Sequence, residues 1–309
     1  MPKARALRAG DRIRLVTPAS PISAESVRFT TELLEAQGFL VDASAHAFST
    51  SDCGYLAAPD KDRAADLMQA FEDSRVQAVY CTRGGYGTSR LIPYLDLDMI
   101  ASTRKLFIGY SDATVLHLAL QQRGVTSLYA PMPLTFTRHR EEWVLQSFLS
   151  AIQGEDPITE GAPKGETMVP GRAVAPTVGG CLCLLTDSIG TSWELDTEGK
   201  IFLIEDVDEP PHRVDAMLTH LIQAGKLDRC AGIVVGEMTR TDQSVDASIG
   251  AWDWRRIVRD RIEPLGIPSI IGFPFGHMTT GMLSLPLGAK AELIATAGTL
   301  RFIEPFFEG

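Results

Sequence analysis

The chain has 309 residues, enough for two domains rather than one, and its 45% hydrophobic and 22% charged residues are those of an ordinary soluble globular protein. A net charge of −10 without any Lys/Arg-rich block argues against nucleic acid as a partner, and charged or turn residues interrupt every apolar run well short of a membrane span. The basic N-terminus leads into no apolar signal core, and the five scattered cysteines (Cys53, Cys81, Cys181, Cys183, Cys230) argue against a disulfide framework, so a cytoplasmic protein is expected.

Strand-like and helix-like segments alternate through the first half. Ile13 to Pro18 reads as a first strand, Pro21 to Gln37 as a helix stopped by Gly38, and Phe39 to Ala45 as a second strand. Asp60 can cap a helix in which Ala64, Leu67, Met68 and Phe71 share one face. Val76 to Cys81 is a third strand, Lys105 to Tyr110 a fourth and Thr126 to Tyr129 a fifth. Strands separated by helices predict a parallel sheet in a doubly wound α/β domain. Ligands on such sheets sit beyond the carboxyl ends of the strands.

Glu141 to Gln153 reads as a helix, and the stretch 154–175, rich in Gly, Pro and charge, as a linker. Beyond it, Gly179-Gly180 precedes an apolar helix and Lys200 to Ile204 is a strand. A helix from about Pro211 to Ala224, a strand from Ala231 to Val235 and a helix near Trp252 to Ile262 follow. Ser269 to Gly272, Leu283 to Leu287 and Ala291 to Phe302 read as closing strands. The expected division is an N-terminal domain over 1–153, a linker over 154–175 and a C-terminal domain over 176–309.

Gly109-Tyr110-Ser111-Asp112 lies between the fourth strand and a helix-like stretch. A serine at such a corner can be a nucleophile, with helix N-terminal N–H groups facing a developing oxyanion. The hydrolase pattern G-x-S-x-G is met at Gly109 but not at Ala113, and a Ser-Asp helix cap is the other reading. A serine nucleophile needs a base, usually a histidine oriented by a carboxylate. His117 and His220 lie in amphipathic helices, His46 and His139 in polar surroundings without nearby acids, and His212 at a helix start. His277 is displayed at the end of Ile270-Ile271-Gly272-Phe273-Pro274-Phe275-Gly276, where a functional role is favoured. Glu205, the first polar residue after Ile201 to Ile204, is the better-placed acid; Asp206 would point to the opposite side. Asp208 and Glu209 read as a solvated acidic loop. In Arg83-Gly84-Gly85-Tyr86-Gly87 no phosphate-loop pattern is met. One N–H from this turn and that of Asp112 would make a two-donor oxyanion hole. Arg83 or Tyr86 could bind a substrate carboxylate, with a structural salt bridge the alternative for Arg83. Cys181-Leu182-Cys183 lacks the spacing and partner pair of a zinc site and reads as buried thiols.

Together these motifs resemble the LD-carboxypeptidase family, which includes muramoyl-tetrapeptide carboxypeptidases and microcin C self-immunity peptidases. The resemblance runs from about Gly10 to Leu287. It rests on the Arg83–Gly87 turn, Gly109-Tyr110-Ser111-Asp112, Glu205-Asp206-Val207 with Glu209, and Gly272-Phe273-Pro274-Phe275-Gly276-His277, with Leu285-Pro286-Leu287-Gly288 as a closing motif. It implies a flavodoxin-like N-terminal domain, a mixed α/β C-terminal domain, and a homodimer with its site at the domain interface. It implies Ser111 as nucleophile, Glu205 as orienting acid, His277 as base, and an oxyanion hole from the N–H groups of Gly85 and Asp112. The implied reaction is hydrolysis of an amide between an L-centre and a terminal D-alanine, with no metal and no cofactor. Two departures stand out. Tyr129-Ala130-Pro131-Met132 replaces a usual His-Gly-Pro-Met, and Gly179-Gly180-Cys181-Leu182 a usual Gly-Gly-Asn-Leu; both bear on the substrate. A peptidyl-nucleotide substrate is therefore the alternative, with Trp193 as an available platform for a base, though a core role fits that tryptophan better. A non-catalytic ligand-binding protein on the same frame is a third reading.

Overall fold

Five short apolar stretches build the first sheet: β1 (Arg12–Val16), β2 (Leu40–Ala43), β3 (Ala78–Cys81), β4 (Leu106–Gly109) and β5 (Ser127–Tyr129). The computed structural model describes residues 3–138, 140–244 and 252–308. Every residue of β3, β4 and β5 is buried, the pattern of parallel strands covered on both faces. β2 is only partly covered, as befits an edge. The second sheet begins with β6 (Glu166–Val169), β7 (Arg172–Cys181), β8 (Ile201–Val207), β9 (Gly232–Thr239) and β10 (Ser269–Ile271). β11 (Leu285–Leu287), β12 (Lys290–Ile294) and β13 (Thr299–Phe302) complete the strands. The helices are α1 (Ala24–Ala36), α2 (Asp60–Glu72), α3 (Leu97–Ser102), α4 (Thr114–Gln121), α5 (Glu142–Ile152), α6 (Leu182–Asp187), α7 (Pro211–Gln223) and α8 (Trp254–Ile262). Among the described residues, no helix is long and apolar enough to cross a membrane.

The first sheet has the order β11-β5-β4-β3-β1-β2. Its five parallel strands follow the flavodoxin-like order 2-1-3-4-5, with the direction of winding reversing between β1 and β3. β11 arrives from the far end of the chain and pairs antiparallel with β5, Leu285 opposite Tyr129 and Leu287 opposite Ser127. The second sheet has the order β13-β12-β7-β8-β9-β10-β6, with β7 to β10 parallel and antiparallel strands outside them. The fold is α/β with a flavodoxin-like sheet followed by a mixed sheet.

Two local expectations change and one holds. The stretch 154–175 carries β6 and the start of β7, because Glu166–Val169 finds the open edge of β10. A partner so distant in sequence leaves no mark on local composition. Gly179 and Gly180 lie in β7, just ahead of α6, as the apolar helix after them led one to expect. Asp60 is the first residue of α2 rather than its cap, and its carboxylate binds Arg63 and Arg90.

Candidate active site

β4 delivers the chain to its carboxyl end at Gly109, Tyr110 stays extended, and Ser111 turns to φ +62° before a 3-10 turn leads into α4. A non-glycine residue in this left-handed region costs about 1–3 kcal/mol, so neighbouring contacts must hold it there. The Ser111 N–H donates to the Tyr129 hydroxyl at 3.1 Å, and Thr114 Oγ1 donates to the Ser111 carbonyl at 2.7 Å. His117, fully buried in α4, bonds the Gly109 carbonyl through Nε2 at 3.0 Å and Ser127 through Nδ1 at 2.7 Å. Since a carbonyl only accepts, Nε2 carries the proton. Burial holds the His117 pKa down to about 4.

The glycine turn after β3 lies against this corner. A Cβ on Gly84 would sit 2.8 Å from Ser111 Oγ and 3.3 Å from the Asp112 nitrogen. Only glycine allows this approach. Among the described residues, neither the Gly85 nor the Asp112 N–H donates to a protein acceptor. The Asp112 side chain points inward, where its carboxylate accepts from the Thr88 N–H at 2.8 Å, and burial pushes its pKa up.

From the second sheet, the apolar strand β8 ends by burying Glu205 completely. Glu205 Oε2 accepts from His277 Nδ1 at 2.7 Å and from the His277 backbone N–H at 3.1 Å. Its Oε1 accepts from the Tyr129 hydroxyl at 2.6 Å. A carboxylate buried without such donors would be costly. Gly276, at φ +87°, permits the His277 contact, because a Cβ there would overlap the Glu205 carboxylate. With Nδ1–H on Glu205, His277 Nε2 keeps a lone pair free for proton transfer. Burial disfavours the imidazolium, but the Glu205 charge and hydrogen bond, aided by Asp206, outweigh it and leave the His277 pKa raised. Among the described residues no hydrogen bond joins Ser111 Oγ to His277; Tyr129 links the serine backbone to the carboxylate that holds the histidine. Such gaps commonly tighten when substrate binds.

Residues 13–130 match the LD-carboxypeptidase N-terminal domain and residues 174–293 the LD-carboxypeptidase C-terminal domain. The chain is 34% identical over 308 residues to a probable murein peptide carboxypeptidase of Bacillus subtilis, covering 94% of this chain and 91% of that relative. This chain belongs to the LD-carboxypeptidase family. It is accordingly a serine carboxypeptidase, a hydrolase. The muramoyltetrapeptide carboxypeptidase of Oxalobacter formigenes superposes with a TM-score of 0.81 at 27% identity, over 96% of this chain and 100% of that one. The microcin C7 self-immunity protein MccF, solved with glutamyl sulfamoyl guanosine, superposes with a TM-score of 0.85 over 99% of both chains; at 21% identity it shares the fold.

In this LD-carboxypeptidase, Ser111, Glu205 and His277 all lie at the carboxyl ends of strands or in the loops that follow them. A cavity of about 330 Å³ opens beside His277, lined by Tyr110, Thr135, Arg138, Arg140 and Arg240 among others. The Tyr110 ring lies 4.8 Å from that of His277. Arg240 is paired in two places with Asp208, each at 2.6 Å, and Arg140 donates to the Thr135 and Thr279 carbonyls. A larger cavity of about 560 Å³, lined by Arg5, Glu72, Gln77 and Lys105, touches none of these residues and lies at the amino ends of β3 and β4.

Arg83 makes no salt bridge among the described residues. Its guanidinium donates to the Pro21 carbonyl at 3.0 Å and the Gly84 carbonyl at 3.1 Å, bracing the glycine turn. Tyr86 is half exposed beside Tyr55. His46 does have an acid, Asp66, 3.0 Å away across 20 residues of sequence. His139 lies outside the described residues. Trp193 is buried in the core. The departures from the family pattern touch the framework: Tyr129 joins the serine and glutamate supports, and the Cys181 N–H donates to Thr114 Oγ1 at 3.1 Å. Sequence reasoning missed Ser20, which accepts from the Tyr86 N–H, and Arg63, whose buried guanidinium donates to the Ala58 and Gly87 carbonyls. An arginine on the apolar face of α2 was the only available signal for the second.

Proposed function

We propose that the protein removes the terminal D-alanine from murein tetrapeptide, cutting an L,D amide bond in peptidoglycan recycling. The Glu205–His277–Tyr129 hydrogen-bond set beside the Ser111 corner carries this reading. Ser111 Oγ attacks the scissile carbonyl while His277 Nε2 takes its proton. Glu205 holds the Nδ1–H and stabilises the imidazolium that forms. The N–H groups of Gly85 and Asp112, free of protein acceptors, receive the oxyanion. His277 then protonates the departing D-alanine nitrogen. Water, deprotonated by the same nitrogen, releases the acyl group from Ser111. Arg83, through its turn, and Tyr86 are assigned to the substrate side of the site. The protein acts in the cytoplasm as a homodimer, with the 1–153 and 176–309 portions contributing to one site.

The test is release of D-alanine from murein tetrapeptide by wild type and by Ser111→Ala. Wild type should release it, and the variant should lose at least about 10⁴-fold in rate if the three residues act as a unit. A variant retaining most of its rate sinks the nucleophile. A folded wild type that releases no D-alanine sinks the substrate and makes a peptidyl-nucleotide amide the next compound to assay.

A further inference from the structure

Two thiols and a carboxylate meet where β7, β8 and α6 come together, outside the hydrolytic residues. Cys181 Sγ lies 3.5 Å from Cys183 Sγ and 3.4 Å from Asp206 Oδ1. The three potential donor atoms all fall within 4.8 Å of one another. Two thiolates around a tetrahedral zinc ion, each bond about 2.3 Å, stand about 3.7 Å apart, and a thiolate and a carboxylate oxygen about 3.5 Å. The two separations from Cys181 Sγ therefore match such a site to within a few tenths of an ångström, and the third, between Cys183 Sγ and Asp206, lies within 4.8 Å. The carboxylate is also oriented: Asp206 Oδ2 accepts from the Cys183 N–H at 2.8 Å and Oδ1 from the Val207 N–H at 2.7 Å. Backbone donors that fix a ligating carboxylate are a regular part of metal sites. Cys181 and Asp206 are buried, whereas Cys183 is partly exposed, the side from which a cation and a water ligand would arrive. C-x-C spacing alone carries no such meaning; Asp206, 23 residues further on, supplies the missing partner.

We infer that Cys181, Cys183 and Asp206 form a binding site for a thiophilic divalent cation of the Zn²⁺ class. Binding forms two metal–sulfur bonds and one metal–oxygen bond and passes the two thiol protons to solvent. Mg²⁺ and Ca²⁺ are excluded by the sulfur donors. The cation would lie outside the proposed set of Ser111, Glu205 and His277. It would be held by Asp206, next to Glu205 in β8, and by Cys181, which faces Glu205 across the β7–β8 register.

The probe is Cd²⁺ titrated into the reduced full-length protein, followed by thiolate-to-metal charge-transfer absorption. Wild type should saturate at one equivalent per chain. Cys183→Ser should lose most of the band and bind at least about 100-fold more weakly, beyond the tenfold to hundredfold typical of losing an outer-shell partner. Asp206→Asn should keep the band with weakened binding, and Cys53→Ser, which removes the exposed thiol, should change nothing. A wild type without a one-equivalent band overturns the inference. So does a band that survives Cys183→Ser and vanishes in Cys53→Ser. Should Cys183→Ser fail to fold, alkylation of wild type decides: Cd²⁺ must protect Cys183 and leave Cys53 reactive, and equal reactivity at both refutes the site. These readouts are independent of D-alanine release.

Discussion

Removing one oxygen atom from Tyr129 tests the link between the two halves of the site. In Tyr129→Phe the ring remains packed against Phe275, but Glu205 Oε1 loses its hydrogen bond in a fully buried position and the Ser111 N–H loses its acceptor. A hydrogen bond to a buried charged group contributes about 1.5–3 kcal/mol. The Ser111 amide adds less, because that residue is partly exposed and water can reach it. We expect a loss of about 2–3 kcal/mol, or about 5 °C in melting temperature for a chain of this size. The rate should fall by about 10- to 100-fold, since small displacements of reacting groups are costly. With that donor gone, the Glu205 oxygens are left to the His277 Nδ1–H and backbone N–H, so the raised His277 pKa rises further and the acid limb of kcat/KM moves to higher pH. The assays are thermal unfolding and a pH profile of D-alanine release. A variant that melts within 1 °C of wild type (roughly 0.5 kcal/mol or less) with an unmoved acid limb would rule out this role for the Tyr129 hydroxyl.

Three further outcomes are expected. Gly84→Ala should lower kcat by about 100-fold or more, because its Cβ would press on Ser111 Oγ at 2.8 Å; an unchanged rate in steady-state assays would show that the turn yields freely. Since the His277 pKa is raised and only the neutral ring accepts a proton, kcat/KM of wild type should fall as pH drops through a value above 6.5; an acid limb centred below 6 contradicts this. His117 is held neutral with a pKa of about 4 against about 6.5 unfolded, so the unfolded chain takes up its proton first on acidification. Its contribution is intact above pH 6.5 and about 3 kcal/mol is lost as pH falls to 4, a loss that chemical denaturation of His117→Gln should lack.

Much of the fold was legible because its signals are local. Apolar runs ending in Gly109 and Ile204 mark strands buried on both faces, and the residues just beyond them, Ser111 and Glu205, fall at the carboxyl ends where parallel sheets place ligands. What escaped depends on contacts between distant residues. Tyr129 sits inside an apolar strand, and nothing in Thr126–Tyr129 says that its hydroxyl reaches a glutamate 76 residues on. Strand alternation turns Asp206 away from Glu205, but its meeting with Cys181 and Cys183 needs the β7–β8 pairing. The strand Glu166–Val169 hid in a polar stretch because an edge strand needs only backbone partners.

The pairing of β11 with β5 has a consequence for synthesis. β5 is complete at residue 129, yet the strand that covers its edge begins at residue 285, so the 155 residues 130–284 must be added first. At ribosomal rates of about 5–20 residues per second this takes roughly 8 to 30 s. Through that interval the nascent chain carries a bare sheet edge of the kind that recruits other strands. His277 also emerges near the end of this interval, so the nascent chain has Ser111 long before it has the histidine that Glu205 holds. The order of the chain thus delays the Glu205–His277–Tyr129 hydrogen-bond set until the last strands are being made, and the bare edge is exposed while that set is incomplete.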